Sequence, residues 1–179
     1  MKSKLLPGLV VAWAIVMRGV SSAEEGKTTL KYHDGVPDGK QSLGGSGEMT
    51  KFTLPTKTAK ISGLRIHGAR YGTLQPPKES FLIYVLNEDR SRVVAAEMAP
   101  YALFDRGEEK WTSVTFDQPL SAPEKFWIVL DFRAGPTKGV YVSYDTSSDG
   151  TRSLAGLPGT TASEPKHGGD WMIEVLVTE

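Results

Sequence analysis

Cysteine is absent from this 179-residue sequence. No disulfide can form, so the folded chain takes its stability from side-chain packing or from a bound metal. Charge of one sign is missing too: 21 Lys and Arg stand against 21 Asp and Glu. That balance removes the basic footprint that nucleic acid or an anionic membrane would require. Histidines number three, His33, His67 and His167; none lies at metal-binding spacing from another, and no H-E-x-x-H element occurs. A zinc hydrolase therefore has no visible basis. Beyond Met17 no apolar run is long enough to cross a membrane, and no amphipathic helix, internal repeat or second domain can be read.

What the chain has instead begins at its N-terminus. Lys2 and Lys4 precede an apolar run from Leu5 to Met17, and Ser21-Ser22-Ala23 supplies small residues where a signal peptidase reads. The run is shorter than the roughly 20 residues of a membrane span, and Pro7, Gly8 and Arg18 interrupt or bound it. This is the layout of a secretory signal peptide over residues 1–23, cleaved after Ala23, with retention as an anchor as the alternative. Cleavage leaves 156 residues, a single domain over residues 24–179. Lys2, Lys4 and Arg18 leave with the peptide and no acid does, so the net charge falls from zero to −3. Export without cysteine fits a bacterium better than a small eukaryotic secreted module. The expected location is secreted or periplasmic, in the cell envelope.

With 19 Gly and 11 Pro, the composition favours short strands and many turns. Phe126–Asp131 (FWIVLD) is the strongest strand: Phe126, Ile128 and Leu130 share one face, Trp127 and Val129 the other. A strand apolar on both faces belongs in a sheet interior, and Phe81–Leu86 (FLIYVL) has the same character. Other runs with strand alternation are Thr28–His33, Met49–Leu54, Ala59–Ala69, Val93–Met98, Trp111–Phe116, Val140–Tyr144 and Trp171–Val177. Gly63 marks a bulge or a close approach of two backbones. Pro100–Lys110 fits one helical turn or an irregular loop, and Thr146–Gly169, rich in Ser, Thr, Gly and Pro, reads as a surface excursion. Eight or nine strands with this turn chemistry predict an all-β, antiparallel two-sheet sandwich of the jelly-roll kind.

Catalytic constellations are missing. Gly44-Gly45-Ser46-Gly47 lacks the following Lys and helix of a phosphate loop, and it does not match the G-x-S-x-G elbow. Glu108-Glu109 are neighbours that point apart on any regular element. The sequence predicts no enzyme. For calcium, Asp34, Asp38 and Asp170 are the candidate oxygen ligands, since the ends of a sandwich are often neighbours. Asx-turns account for Asp34-Gly35 and Asp38-Gly39 without any ion.

Two places suit a ligand. Alternation turns Arg65, His67, Trp111, Trp127 and Tyr141 away from the main core, and on one sheet they would form an aromatic and polar face for stacking on sugar rings; packing under loops is the competing explanation. At a loop end, Arg70 and Arg106 offer fork-shaped donors, and Tyr71 and Tyr101 offer stacking surfaces. For Tyr101 and Phe104 the competing role is to cap the core.

Several phrases add a resemblance: Gly44–Glu48 (GGSGE), Arg70-Tyr71-Gly72, Phe104–Trp111 (FDRGEEKW), Lys138–Val142 (KGVYV), Leu157-Pro158-Gly159 and Gly169–Ile173 (GDWMI). Together they resemble an extracytoplasmic β-sandwich module of exported proteins in planctomycete-like bacteria, also appended to zinc-peptidase sensor-transducers and to regulatory chains. The resemblance implies a sensing or binding module, and its motifs bring no catalytic residue. The expectation is a secreted, non-enzymatic module that recognises a carbohydrate or another envelope ligand through Arg70, Tyr71, Tyr101, Arg106 and Trp111. A protein-interaction or structural module of the envelope is the alternative, and a hydrolase with an unrecognised site comes third.

Overall fold

The computed structural model describes residues 27–179; the leader expected over residues 1–23 lies outside them. In chain order the elements are β1 (Thr28–Leu30), β2 (Gly39–Gln41), β3 (Glu48–Thr53), β4 (Lys60–Gly72), β5 (Ser80–Asn87), β6 (Val93–Pro100), a single 3-10 turn (Tyr101–Leu103), β7 (Lys110–Leu120), β8 (Lys125–Asp131), β9 (Lys138–Asp145), β10 (Ser153–Ala155), β11 (Asp170–Trp171) and β12 (Ile173–Thr178). Twelve strands replace the expected eight or nine. The additional pieces are two or three residues long, too short to carry a period-two signal.

The strands form two antiparallel sheets. One has the order β10-β3-β8-β5-β6; the other has β1-β12-β4-β9-β11, with β7 pairing β4 and β2 pairing β9. Pairs β1–β12, β3–β8, β4–β7 and β5–β6 are nested one inside another along the chain. That nesting is the wrapping of a jelly roll. Among the described residues no helix is long and apolar enough to cross a membrane.

Alternation decides what fills the space between the sheets. Phe81, Ile83 and Val85 from β5, Phe126, Ile128 and Leu130 from β8, and Ile173, Val175 and Val177 from β12 all enter one core, each worth roughly 1.5–3 kcal/mol when fully buried. Tyr101 and Phe104 close one end of it against Phe81 and Phe132. The opposite face of β8 is also covered: Trp127 and Val129 join Met49 and Leu86 under Leu154, Leu157 and Ala162. The segment from Thr146 to Gly169 is thus more than a surface excursion. Its middle pairs with β3 as β10 and roofs the second cluster.

The long strand β4 organises the other sheet. At Gly63 its register against β7 shifts, and a side chain there would strike the Val114 carbonyl, so only glycine permits the approach. From Lys60 to Ile66 β4 pairs with β12, and from Gly68 to Gly72 it pairs with β9. The last stretch of chain enters the fork between these partners, pairing β9 as β11 and then β4 as β12. Met172 sits at the branch: its N–H donates to the Ser143 carbonyl at 2.8 Å, and its carbonyl accepts from the His67 N–H at 3.0 Å. The fork brings His67 and Ser143 together on the outer face.

Candidate functional site

Register places a row of polar and aromatic side chains on the outer face of the seven-stranded sheet. His67 on β4 stands opposite Trp111 on β7, Arg65 on β4 opposite Glu174 on β12, and Lys40 on β2 opposite Ser143 on β9. Arg65, His67, Trp111 and Tyr141, four of the five residues expected to share a face, do so. Trp127 does not: it belongs to the other sheet, is buried under β10 and the chain after it, and donates its indole N–H to the Glu88 carbonyl at 2.9 Å.

Trp111 is the hub of one half of the row. The Arg65 guanidinium lies 4.8 Å from its ring centroid, and the His67 and His33 rings each lie 5.1 Å away. Arg65 Nη1 donates to Glu174 Oε2 at 2.7 Å, while His33 Nε2 is 3.5 Å from Glu174 Oε1. Burial lowers the His33 imidazole below its ordinary value against the pull of Glu174. Burial thus favours the neutral His33 ring, which packs against Trp111 at a tilt of 31°. His67 is lowered by burial as well, with Glu109 opposing, and its Nδ1 lies 2.8 Å from Ser143 Oγ. That distance would suit a base and a nucleophile, yet Ser143 is only 1% exposed in the middle of a strand. The pair acts as an anchor that fixes the His67 ring edge-on to Trp111.

The other half centres on Tyr141, which is 37% exposed. Tyr71 packs against it at a tilt, 4.6 Å between centroids, and is itself held by a hydroxyl donated to the Gly135 carbonyl at 3.1 Å. Lys40 places its ammonium 5.4 Å from the Tyr141 ring and pairs with Glu109. Burial pushes the Glu109 carboxyl up, but Lys40 and a backbone N–H outweigh it and hold the group below its ordinary range. Glu109 is thus an ionised acceptor paired with the Lys40 ammonium. A cleft of about 210 Å³ opens here, lined by Pro37, Asp38, Gly39, Lys40, Glu109 and Ser143. Aromatic faces beside fixed donors and acceptors suit a ring-shaped polyol.

The expected loop-end cluster does not assemble. Tyr71 and Trp111 belong to the outer face just described. Arg70, next to Tyr71 on β4, points the other way and donates to the Thr73 and Leu74 carbonyls at 2.8 and 2.7 Å. Arg106 is exposed and meets Arg70 through a parallel backbone bridge. Tyr101 is 1% exposed in the core and offers no ring face to a ligand. The three carboxylates considered for calcium each accept hydrogen bonds through one oxygen: Asp34 Oδ1 from the Val36 N–H, Asp38 Oδ2 from the Thr146 N–H and hydroxyl, and Asp170 Oδ1 from the Arg152 N–H, while Asp170 Oδ2 is buried without a partner. Among the described residues no three His, Cys, Asp or Glu side chains gather as metal ligands would.

Sequence reasoning missed His33, Lys40, Glu109, Ser143 and Glu174. No local pattern announces them, because they come from five separate segments. A charged residue inside the apolar terminal run, Glu174, was the one available signal.

No family model matches the sequence, and no curated protein matches it. Solved structures do share its fold. One is a clostridial cysteine protease, Cwp84, after propeptide cleavage, with a TM-score of 0.59 and 12% identity over 85% of this chain and 40% of that one. Another comprises the cysteine protease and lectin-like domains of Cwp84, a surface layer associated protein of Clostridium difficile, with a TM-score of 0.55 and 11% identity over 85% and 36%. This chain spans two fifths or less of their length, and identities this low establish the fold alone.

Proposed function

We propose that this protein is a secreted or envelope-located binding module that recognises a carbohydrate on the outer face of its seven-stranded sheet. The observation that carries the reading is the row Trp111, His67, Glu109, Lys40 and Tyr141 beside a cleft of about 210 Å³. The likeness to one structure that comprises the cysteine protease and lectin-like domains of a surface layer associated protein supports it, as does the signal-peptide layout of residues 1–23. A second reading, docking to an envelope protein, draws on strand β6 at the sheet edge, where Met98 is 70% exposed.

The test is a glycan array probed with the full chain and with Trp111→Ala and Tyr141→Ala. A saturable hit should weaken about tenfold or more in Trp111→Ala, corresponding to about 1.4 kcal/mol, in a protein that still melts cooperatively. A blank array, or hits that both variants retain in full, refutes the carbohydrate reading; a single partner captured through β6 and lost on Met98→Glu would then support the second.

A further inference from the structure

A larger cleft of about 390 Å³ lies at the seam where the free edges of the two sheets approach, and the outer-face site does not use it. Gln41, Ser42 and Leu43 line one side; Ala155, Ser163 and Lys166 line the other. Glu164 and Pro165 also face it, so hydroxyl and amide side chains share the lining with a few small apolar ones and one charge of each sign. Such a surface suits a neutral polyol better than an ion or an apolar ligand.

The walls are fixed. A side chain at Gly47 would lie 2.6 Å from the Leu130 carbonyl and 3.0 Å from that of Gly156, so only glycine lets the loop after β2 close on β10. The Gly156 N–H donates to the Gly47 carbonyl at 2.9 Å, and Ala155 and Ser163 exchange backbone bonds of 2.8 and 2.9 Å. Ser42 is tied to the outer face by its hydroxyl, 3.2 Å from that of Tyr71, and the Tyr71 ring packs against Tyr141.

The two clefts share one strand. Lys40 lines the smaller, and the next residues, Gln41 to Leu43, line the larger. Gln41 adjoins Lys40, while Leu43, at the far end of the larger lining, lies up to about 10 Å from Lys40 along the chain, more than one sugar ring spans. The smaller cleft also falls short of the roughly 300–1,000 Å³ usual for a complete ligand pocket. We propose that the seam cleft is a second saccharide subsite and that the ligand is an oligosaccharide of two or more units. One unit lies beside Lys40 and Tyr141, one in the seam, and the chain between them crosses β2. This rests on the carbohydrate reading above.

Linking two subsites through one ligand makes the second contact intramolecular, so affinity rises with chain length until both are filled. The experiment titrates the full chain with N-acetylglucosamine and with glucose, each as β-1,4-linked oligomers of one to six units. Affinity should rise about tenfold or more between one and three units and then level off. A Ser163→Ala, Glu164→Ala, Lys166→Ala variant, altered only at exposed positions, should lose that rise and keep the affinity for one unit. Trp111→Ala should weaken all lengths. Equal affinity at every length, or a triple variant with the wild-type rise, overturns the proposal and leaves the carbohydrate reading standing. Failure of both series to bind overturns it too, and removes that reading as well if the glycan array is blank.

Discussion

Glu48→Gln should stabilise this protein strongly at pH 8 and hardly at all at pH 4.5. Glu48 opens β3 with its side chain only 1% exposed, between Leu130 of β8 and Ala155 of β10 in the adjacent strands. Burial pushes its carboxyl up from 4.5 to about 8, with the negative charge of Asp131 adding to the effect and backbone N–H groups opposing it. The sign follows from proton binding. Between pH 4.5 and 8 the folded chain keeps a proton that the unfolded chain has released, so stability falls as pH rises through that window. Each pH unit costs about 1.4 kcal/mol, and the full window therefore costs on the order of 5 kcal/mol, comparable with the whole stability of many domains. Glutamine copies the protonated acid in shape and does not titrate. Urea unfolding of both proteins at pH 4.5, 6 and 8 gives the comparison, because every other titrating group is common to the two and cancels in the difference. The midpoints should coincide at pH 4.5 and separate progressively toward pH 8, the variant being the more stable. Parallel curves across the range would refute the buried, protonated carboxyl.

Two further outcomes follow from the buried polar groups. Tyr101 keeps its hydroxyl in the core without a hydrogen-bond partner, so Tyr101→Phe should raise stability by about 1 kcal/mol and leave glycan binding unchanged; a loss of binding in a folded variant would return Tyr101 to the site. His33, His67 and His167 are all lowered below 6.5 by burial, so their unfolded forms take up protons first and stability should fall as pH drops below about 6.5. Around His33 the opposing carboxylates are Glu174, Asp145 and Asp34, with Lys31 acting with burial. Replacing His33 with Gln should flatten part of that acid slope in thermal melts, and an unchanged slope would count against a neutral buried ring.

The strands with strong alternation were legible because burial on one or both faces imposes a period of two on the residues themselves. Phe126–Asp131 illustrates this: its two apolar sets enter two different hydrophobic clusters. The competing explanation for Tyr101, capping the core, also followed from residue type, since a large aromatic gains more from burial than from exposure. Short strands such as Ser153–Ala155 were invisible, because their pairing is fixed by a partner strand about a hundred residues earlier and not by their own pattern.

The site divides along the same line. Alternation alone turned Arg65, His67, Trp111 and Tyr141 outward, a property of each strand taken singly. Which strands lie side by side is a property of pairing between distant segments, and only that placed Trp127 on the other sheet and drew Lys40, Glu109, Ser143, Glu174 and His33 to Trp111 and Tyr141. The fork between β4 and β9, with Met172 bonded to both, joins the two halves of the row. Local sequence could specify the faces, because the period of a strand is local; the cleft needed the tertiary structure, because its walls meet only when the chain has wrapped.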